Sequence, residues 1–283
     1  MACADDGSGF RDTGIAGITL FTIAGLLALA GVFRTPIMEG GRWFTEKQNY
    51  FIAVSLMSSL DLPRYYMMAI DNQYACSRQT YAYGLHMLAN AAFFSSYSII
   101  CSMWQNSVGS GNRITLFRKR TLAIFNVVFL LICVIAFGIC LSKDTLYDFF
   151  HTRFYSFYTV VTASKNLFFF SALMWSGYEI LKPLWATRQT GHRVDHEIEV
   201  RFERLMTRLE ILICVVFLSG LLRFVMLCMK LAILDGGENP RWYTGPVWWT
   251  LSDFAPRLIP SVGFMTLMFG SVLVGKRTAR KCE

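Results

Sequence analysis

Seven long apolar blocks recur along the chain, each close to the roughly 20 residues that a helix needs to cross about 30 Å of hydrocarbon. They fall at residues 15–33, 50–70, 81–104, 122–141, 154–181, 209–231 and 247–274. A water-soluble core does not accommodate so much uninterrupted apolar sequence. Of the 283 residues 54% are hydrophobic and 16% charged, and the mean hydropathy is +0.41. The pattern predicts an all-α, polytopic membrane protein, a single domain over 1–283 built as a seven-transmembrane helix bundle with lipid as its solvent.

The net charge of +8 would suit nucleic acid if the bases were gathered on one soluble face, but they lie mostly in short segments between apolar blocks. That distribution predicts membrane orientation, and no nucleic-acid partner. Lys and Arg near span ends are retained in the cytosol. Of the 27 Lys and Arg, 17 fall in the first, third and fifth loops and the tail, against six on the opposite side. The chain is therefore expected N-out and C-in, and the acidic segment with Asp5, Asp6 and Asp12 agrees. The first span is long enough to cross and follows mainly acidic residues, so it is expected to stay rather than be cleaved. Cys101, Cys133, Cys140, Cys214 and Cys228 lie inside apolar blocks and act there as small hydrophobes, which leaves Cys3 and Cys76 for an oxidising compartment.

The fifth loop, 182–208, is long enough for structure of its own. From Asp195 to Glu210 it reads DHEIEVRFERLMTRLE, with Ile198, Phe202, Leu205, Met206 and Leu209 at helical spacing, acids early and bases late. The sixth helix is expected to project into the cytosol as this amphipathic extension, with Glu197 and Arg201 as an i,i+4 pair. Its basic face, Arg193, Arg201, Arg204 and Arg208, is either a solvated helix end or a surface for a cytosolic protein.

Charges inside spans cost about 3 kcal/mol each on insertion scales, so they should face the interior in pairs. Six qualify: Asp61 and Arg64 in the second span, Lys165 in the fifth, Arg223 in the sixth, Asp253 and Arg257 in the seventh. The spacings let Asp61–Arg64 and Asp253–Arg257 neutralise themselves locally. Alternatively the six form one polar network or ligand site in which Arg223 meets Asp61 or Asp253. Four bases against two acids then favour an anionic partner, or the snorkelling of Lys165 and Asp253 to an interface. Pro63, Pro256 and Pro260 are expected to kink their helices, and Trp242, Tyr243, Trp248 and Trp249 to form an interfacial aromatic belt.

No H-E-x-x-H, G-x-S-x-G or phosphate-cradling glycine loop occurs, and His86, His151, His192 and His196 are scattered. No catalytic residue, metal site or cofactor is expected. The last span has no mid-helix lysine of the kind retinal requires, and the chain lacks the sequence marks of rhodopsin-like receptors. The first three spans share no motif with the last three, which leaves repeat-built transport as the weaker reading.

The third span reads NAAFFSSYSIICSMWQ from Asn90 to Gln105 and resembles the F-F-small-small-Y then W signature of the tobamovirus multiplication protein family of plants. Arg64, Arg223 within G-L-L-R-F, and the ending Ile259-Pro260-Ser261 with its apolar run and basic tail are similar to that family and to related lysosomal orphan-receptor-like proteins of animals. The resemblance implies a multi-pass endomembrane protein of vacuolar or lysosomal type, with the plasma membrane as the alternative. It also implies a non-enzymatic, receptor-like or scaffold role recruiting small GTPases or other cytosolic factors. The rival expectation is a small-solute or ion transporter using the interior charges.

Overall fold

The computed structural model describes residues 8–38, 41–71, 78–107, 119–189, 196–235 and 246–279. Regular structure among them is helical: α1 (Ser8–Met38), α2 (Glu46–Ile70), α3 (Thr80–Ser107), α4 (Lys119–Leu141), α5 (Leu146–Phe150), α6 (Arg153–Gln189), α7 (His196–Asp235), α8 (Pro246–Trp249), a π-helical turn over Thr250–Phe254, and α9 (Ala255–Ala279). Six of the apolar blocks coincide with α1, α2, α3, α4, α6 and α7, and the seventh with α8, the π turn and α9 together.

Three stretches are long and apolar enough to cross a membrane: Phe10–Ile37, Lys119–Leu141 and Met206–Ala232. Their outward faces are apolar, with Ile15, Leu26 and Phe33 on α1, Ile124, Leu131 and Ile135 on α4, and Ile211, Leu218 and Val225 on α7 all exposed. Charged and amide side chains, among them Asp61, Arg64, Asn166, Arg223 and Arg257, are buried. Apolar outside and polar inside is the arrangement that lipid imposes, and the chain is a helical membrane-associated protein.

Neighbouring helices alternate in direction. Along α1 and α2, Gly14 meets Ala69 while Gly31 meets Phe51. On α3 and α4, the Cys140 thiol donates to the Thr80 carbonyl while the Ser98 hydroxyl lies 3.1 Å from Asn126 Oδ1. On α6 and α7, Asn166 donates to the Gly220 carbonyl and Trp185 to Glu210. α9 runs against α2, with Asp253 beside Arg64 and the Ser261 carbonyl accepting from Tyr50. The starts of α1, α3, α6 and α8 and the ends of α2, α4 and α7 thus share one end of the bundle. Helix α3 lies in the middle, against α2, α4 and α6, while α9 packs on α7, α1 and α2.

The predicted extension of the sixth span is present as continuous helix, since α7 starts at His196 and runs 40 residues. Met206 is buried, and Glu203, Arg204, Thr207 and Arg208 are exposed. Arg193 lies outside the described residues, and so do the side chains of Glu197 and Arg201. Cys3, Cys76, His192, Trp242 and Tyr243 also fall outside them. Helix α5 was not expected. It is capped by Thr145, which accepts from the Asp148 N–H, and it buries Leu146 and Phe149.

Pro256 has no N–H to close a helical turn onto Ser252, and the chain widens immediately before it. The Ala255 N–H donates to the Thr250 carbonyl, five residues back. This turn carries Asp253 into the interior.

Helices α1 and α2 approach closely because α1 presents glycine there. A Cβ on Gly14 would sit 2.6 Å from the Tyr65 carbonyl oxygen and 2.8 Å from the Ala69 Cα, and backbone cannot move aside as a side chain can. Gly14→Val is expected to destabilise the protein by about 3 kcal/mol, the upper end for overpacking. Thermal unfolding in detergent should show this loss, whereas a valine at Gly138, which has open space around it, should leave the melting temperature nearly unchanged.

Candidate functional site: a buried charge network and its cavity

Two aspartates at the apolar centre of a helical bundle require positive partners, and one arginine serves both. The Arg257 guanidinium contacts the Asp61 carboxylate through Nη2 and donates through Nη1 to Asp253 Oδ1 at 3.0 Å. Asp61 and Arg257 are fully buried. The other Asp253 oxygen accepts from Arg64 Nη2 at 2.8 Å and from the Tyr65 hydroxyl at 2.5 Å. The Arg64 guanidinium sits over aromatic rings, 4.9 Å from the Tyr65 ring centre and 4.6 Å from that of Trp249.

The local Asp61–Arg64 pair allowed by the three-residue spacing does not form. Arg64 crosses to α9's approach turn and Asp61 takes Arg257, so the pairing is between helices. The local Asp253–Arg257 pair does form, as one limb of the shared network.

The network continues through neutral groups. His86 Nδ1 lies 2.6 Å from Asp61 Oδ1, and Asn90 Nδ2 lies 3.3 Å from His86 Nε2. The Asn90 amide donates, so Nε2 accepts and the Nδ1 proton goes to Asp61. Asn90 also donates to the Tyr158 hydroxyl at 3.0 Å, and its carbonyl oxygen accepts from Arg223 Nη2 at 2.7 Å. Arg223 thus joins the chain through Asn90 and His86 rather than by an ion pair with Asp61 or Asp253. Its guanidinium sits 4.5 Å from the Phe93 ring centre, and that of Arg257 sits 5.5 Å from the same ring. The F-F-S-S-Y stretch is therefore the aromatic floor of the charge network, with Phe93, Phe94 and Tyr97 all buried.

Among the described residues, Lys165 makes no ion pair within this assembly and shares only the Phe94 ring with it. Its ammonium lies 4.0 Å from the Phe129 ring centre and donates to Asn126 Oδ1 at 3.2 Å, on the α4 side of the bundle. Asp253 is only 4% exposed and stays in the interior. Trp248 and Trp249 are buried at 5% and 7%, not displayed in an outer aromatic belt. They are needed inside, where Trp249 covers Arg64.

Above the network a cavity of about 60 Å³ opens between α3, α6, α7 and α8 with its π turn. Arg64, His86, Arg223, Lys230, Trp248 and Asp253 are among its walls. Lys230 donates to the Tyr83 hydroxyl at 3.3 Å, and Tyr83 pairs with the Tyr155 hydroxyl at 2.9 Å. The rings of Phe149 and Phe150 pack on Tyr83 and Tyr155 beside it. Asn90, Tyr65 and Lys230 were not recognised from sequence as members of this site. Lys230 falls at the outer end of the sixth apolar block and reads in the sequence as one of the six basic residues of that side. No group of three His, Cys, Asp or Glu able to hold a metal occurs among the described residues.

No protein-family model and no curated protein matches the chain.

Removing one member of a buried ion pair costs about 3–5 kcal/mol, because the partner is left charged and desolvated. Arg257→Gln strands Asp61 and weakens Asp253, so it should lose stability in that range. Tyr65→Phe removes one hydrogen bond to a carboxylate that keeps both arginines, and should lose about 2 kcal/mol. Thermal unfolding of both variants in the same detergent checks the order, and the reverse order would mean that Arg64 and Tyr65, not Arg257, carry the aspartates.

Proposed function

We propose that the chain is a seven-span, receptor-like membrane protein, N-out and C-in, without enzymatic activity. In this reading a polar site in its outer half governs a cytosolic face that engages a signalling or trafficking protein. The observation that carries the reading is a charged cavity confined to one end of the bundle. Toward the other end, Tyr97, Trp104, Phe170 and Phe264 fill the space between α3, α6 and α9 with buried aromatic packing, tilted between Tyr97 and Phe170 and edge-on at Phe264. A closed-off polar pocket favours a binding site over a conduit.

The 17-to-six bias of basic residues supports the orientation, and puts the cavity on the outer or lumenal side with the chain's N-terminus. The four less apolar long helices, α2, α3, α6 and α9, owe their lower hydropathy in part to the charges and amides that they turn inward, which is compatible with their crossing the bilayer. Helices α6 and α7 both reach from the cavity wall to the opposite end, where Arg204 and Arg208 are exposed. The third-span signature and the basic tail supply the suggestion of a small GTPase as partner and of an endomembrane location, both through the family resemblance. The rival role, transport of a small solute or ion, uses the same interior charges and predicts flux.

Proximity labelling from the C-terminal tail in native cells tests the reading, comparing the wild type with a variant in which Arg193, Arg201, Arg204 and Arg208 are changed to Glu. The expected outcome is labelling of GTPases or other cytosolic signalling factors that the variant loses at equal abundance. An unchanged set of bystander membrane proteins, together with solute flux in proteoliposomes that Arg223→Gln abolishes, would replace the receptor reading by the transporter.

A further inference from the structure

The charge ledger of the interior does not close on protein groups. Asp61 and Asp253 are both engaged by Arg257, and Asp253 also by Arg64. At the cavity Arg223 and Lys230 remain, and among the described residues neither has a carboxylate within ion-pair distance. Arg223 is 3% exposed, its Nη2 is spent on Asn90, and its Nη1 is buried with no hydrogen-bond partner among the described residues. Among the described residues the Tyr83 hydroxyl is the hydrogen-bond acceptor that Lys230 reaches. Both side chains line the same cavity. Burying a guanidinium without an anion is costly, and an oxyanion that accepts from a guanidinium and an ammonium at once relieves that cost most directly.

The walls restrict which oxyanion fits. At roughly 10–15 Å³ per water, a space of about 60 Å³ takes on the order of five waters or one molecule of a few heavy atoms. Besides the bases, the lining includes Met226, Leu227 and Trp248, which suit an apolar body and offer nothing to a second charged group. A free ammonium on the ligand would need a carboxylate, and Asp253, the one acid in the described lining, already holds two arginines and Tyr65.

We propose that this cavity binds a small monocarboxylate, its oxygens taken by Arg223 and Lys230 and its short apolar body by Met226, Leu227 and Trp248. The proposal names the ligand class of the outer site and so rests on the receptor reading, but its test does not depend on any cytosolic partner. The carboxylate completes the polar chain, joining Arg223 on α7 to the Tyr83–Tyr155 pair on α3 and α6 through Lys230.

The full chain in lipid nanodiscs is titrated with propionate, its neutral isostere propionamide, alanine, inorganic phosphate and chloride at constant ionic strength, and the melting temperature is followed. Propionate should give a saturable rise, with each of the others at least tenfold weaker. Lys230→Gln, at the half-buried edge of the cavity, should weaken the propionate response at least tenfold, and Arg223→Gln should do the same if it folds. Lys165→Gln, outside the cavity, should keep the wild-type response. An equal response to propionamide would overturn the proposal, as would a response confined to phosphate or chloride, no saturable response to propionate, or one unchanged in Lys230→Gln. Should propionate fail while tail labelling of cytosolic factors persists, the ligand class is wrong and the receptor reading stands. Should propionate bind while labelling reports only bystanders, the reverse holds.

Discussion

Arg257 standing between Asp61 and Asp253 is the contact on which the rest of the bundle's interior depends. Two carboxylates in a medium of low dielectric repel each other and forfeit their hydration, and each alone would be costlier than the stability of a typical domain can bear. One guanidinium facing both turns that liability into a cross-link between α2 and the last helix. Arg64 then answers the surplus on Asp253 from the α2 side, so four charges on two chain segments 189 residues apart become mutually dependent. Such a set gives no bonus over well-packed apolar residues, but it penalises every arrangement in which the helices are rotated or displaced.

That geometry sets demands on the backbone. Asp253 and Arg257 must both face inward while the chain passes Pro256, and the π turn over Thr250–Phe254 lets them do so by relaxing the hydrogen-bond ladder where proline has already broken it. It also sets demands on α3. Guanidinium groups that are not fully hydrated need flat aromatic faces, and Phe93 provides one to Arg223 and Arg257 together. The serines after it satisfy themselves on their own helix, Ser95 donating to the Ala91 carbonyl and Ser96 to that of Phe93, so that small polar side chains cost little inside the bundle.

Different parts of this were legible to different degrees in the amino-acid sequence. Apolar length located the long helices to within a few residues at most ends, because the hydrocarbon thickness is a one-dimensional requirement that a sequence states directly. The charged members were legible for the same reason, since an Arg or Asp inside an apolar block is conspicuous. Their partners were not. Spacing along one helix suggests Asp61 with Arg64, and only the packing of α9 against α2 reveals that each prefers the other helix. Neutral connectors left no trace at all: Asn90 was visible as the first letter of a motif, with nothing to mark it as the bridge between Arg223 and His86. Trp248 and Trp249 were misplaced because tryptophan at the start of a span serves lipid interfaces and cation-covering lids equally well, and the sequence offers no way to choose. Lys165 was misassigned to the network because a lone charge signals that it needs company without saying whether the company is a carboxylate or three aromatic rings.

The distribution of polarity along the bundle axis bears on how such a molecule can respond to anything. Its one end is close-packed with aromatic rings, which have few alternative arrangements at comparable energy. The other end contains the cavity and the π turn, and there the Arg223 Nη1 donor has no hydrogen-bond partner among the described residues. Unfilled space and an unmatched charge therefore meet at the end that holds Arg223 and Lys230. Helix α7 carries both of these, and continues unbroken past Met206 to Arg204 at the far end, a span of about 40 Å at 1.5 Å per residue. In the receptor reading proposed above, a tilt of α7 set by whatever neutralises Arg223 would be carried along this helix to the exposed Arg204 and Arg208. It can be no larger in free energy than the difference in that partner's affinity for the two positions of the helix.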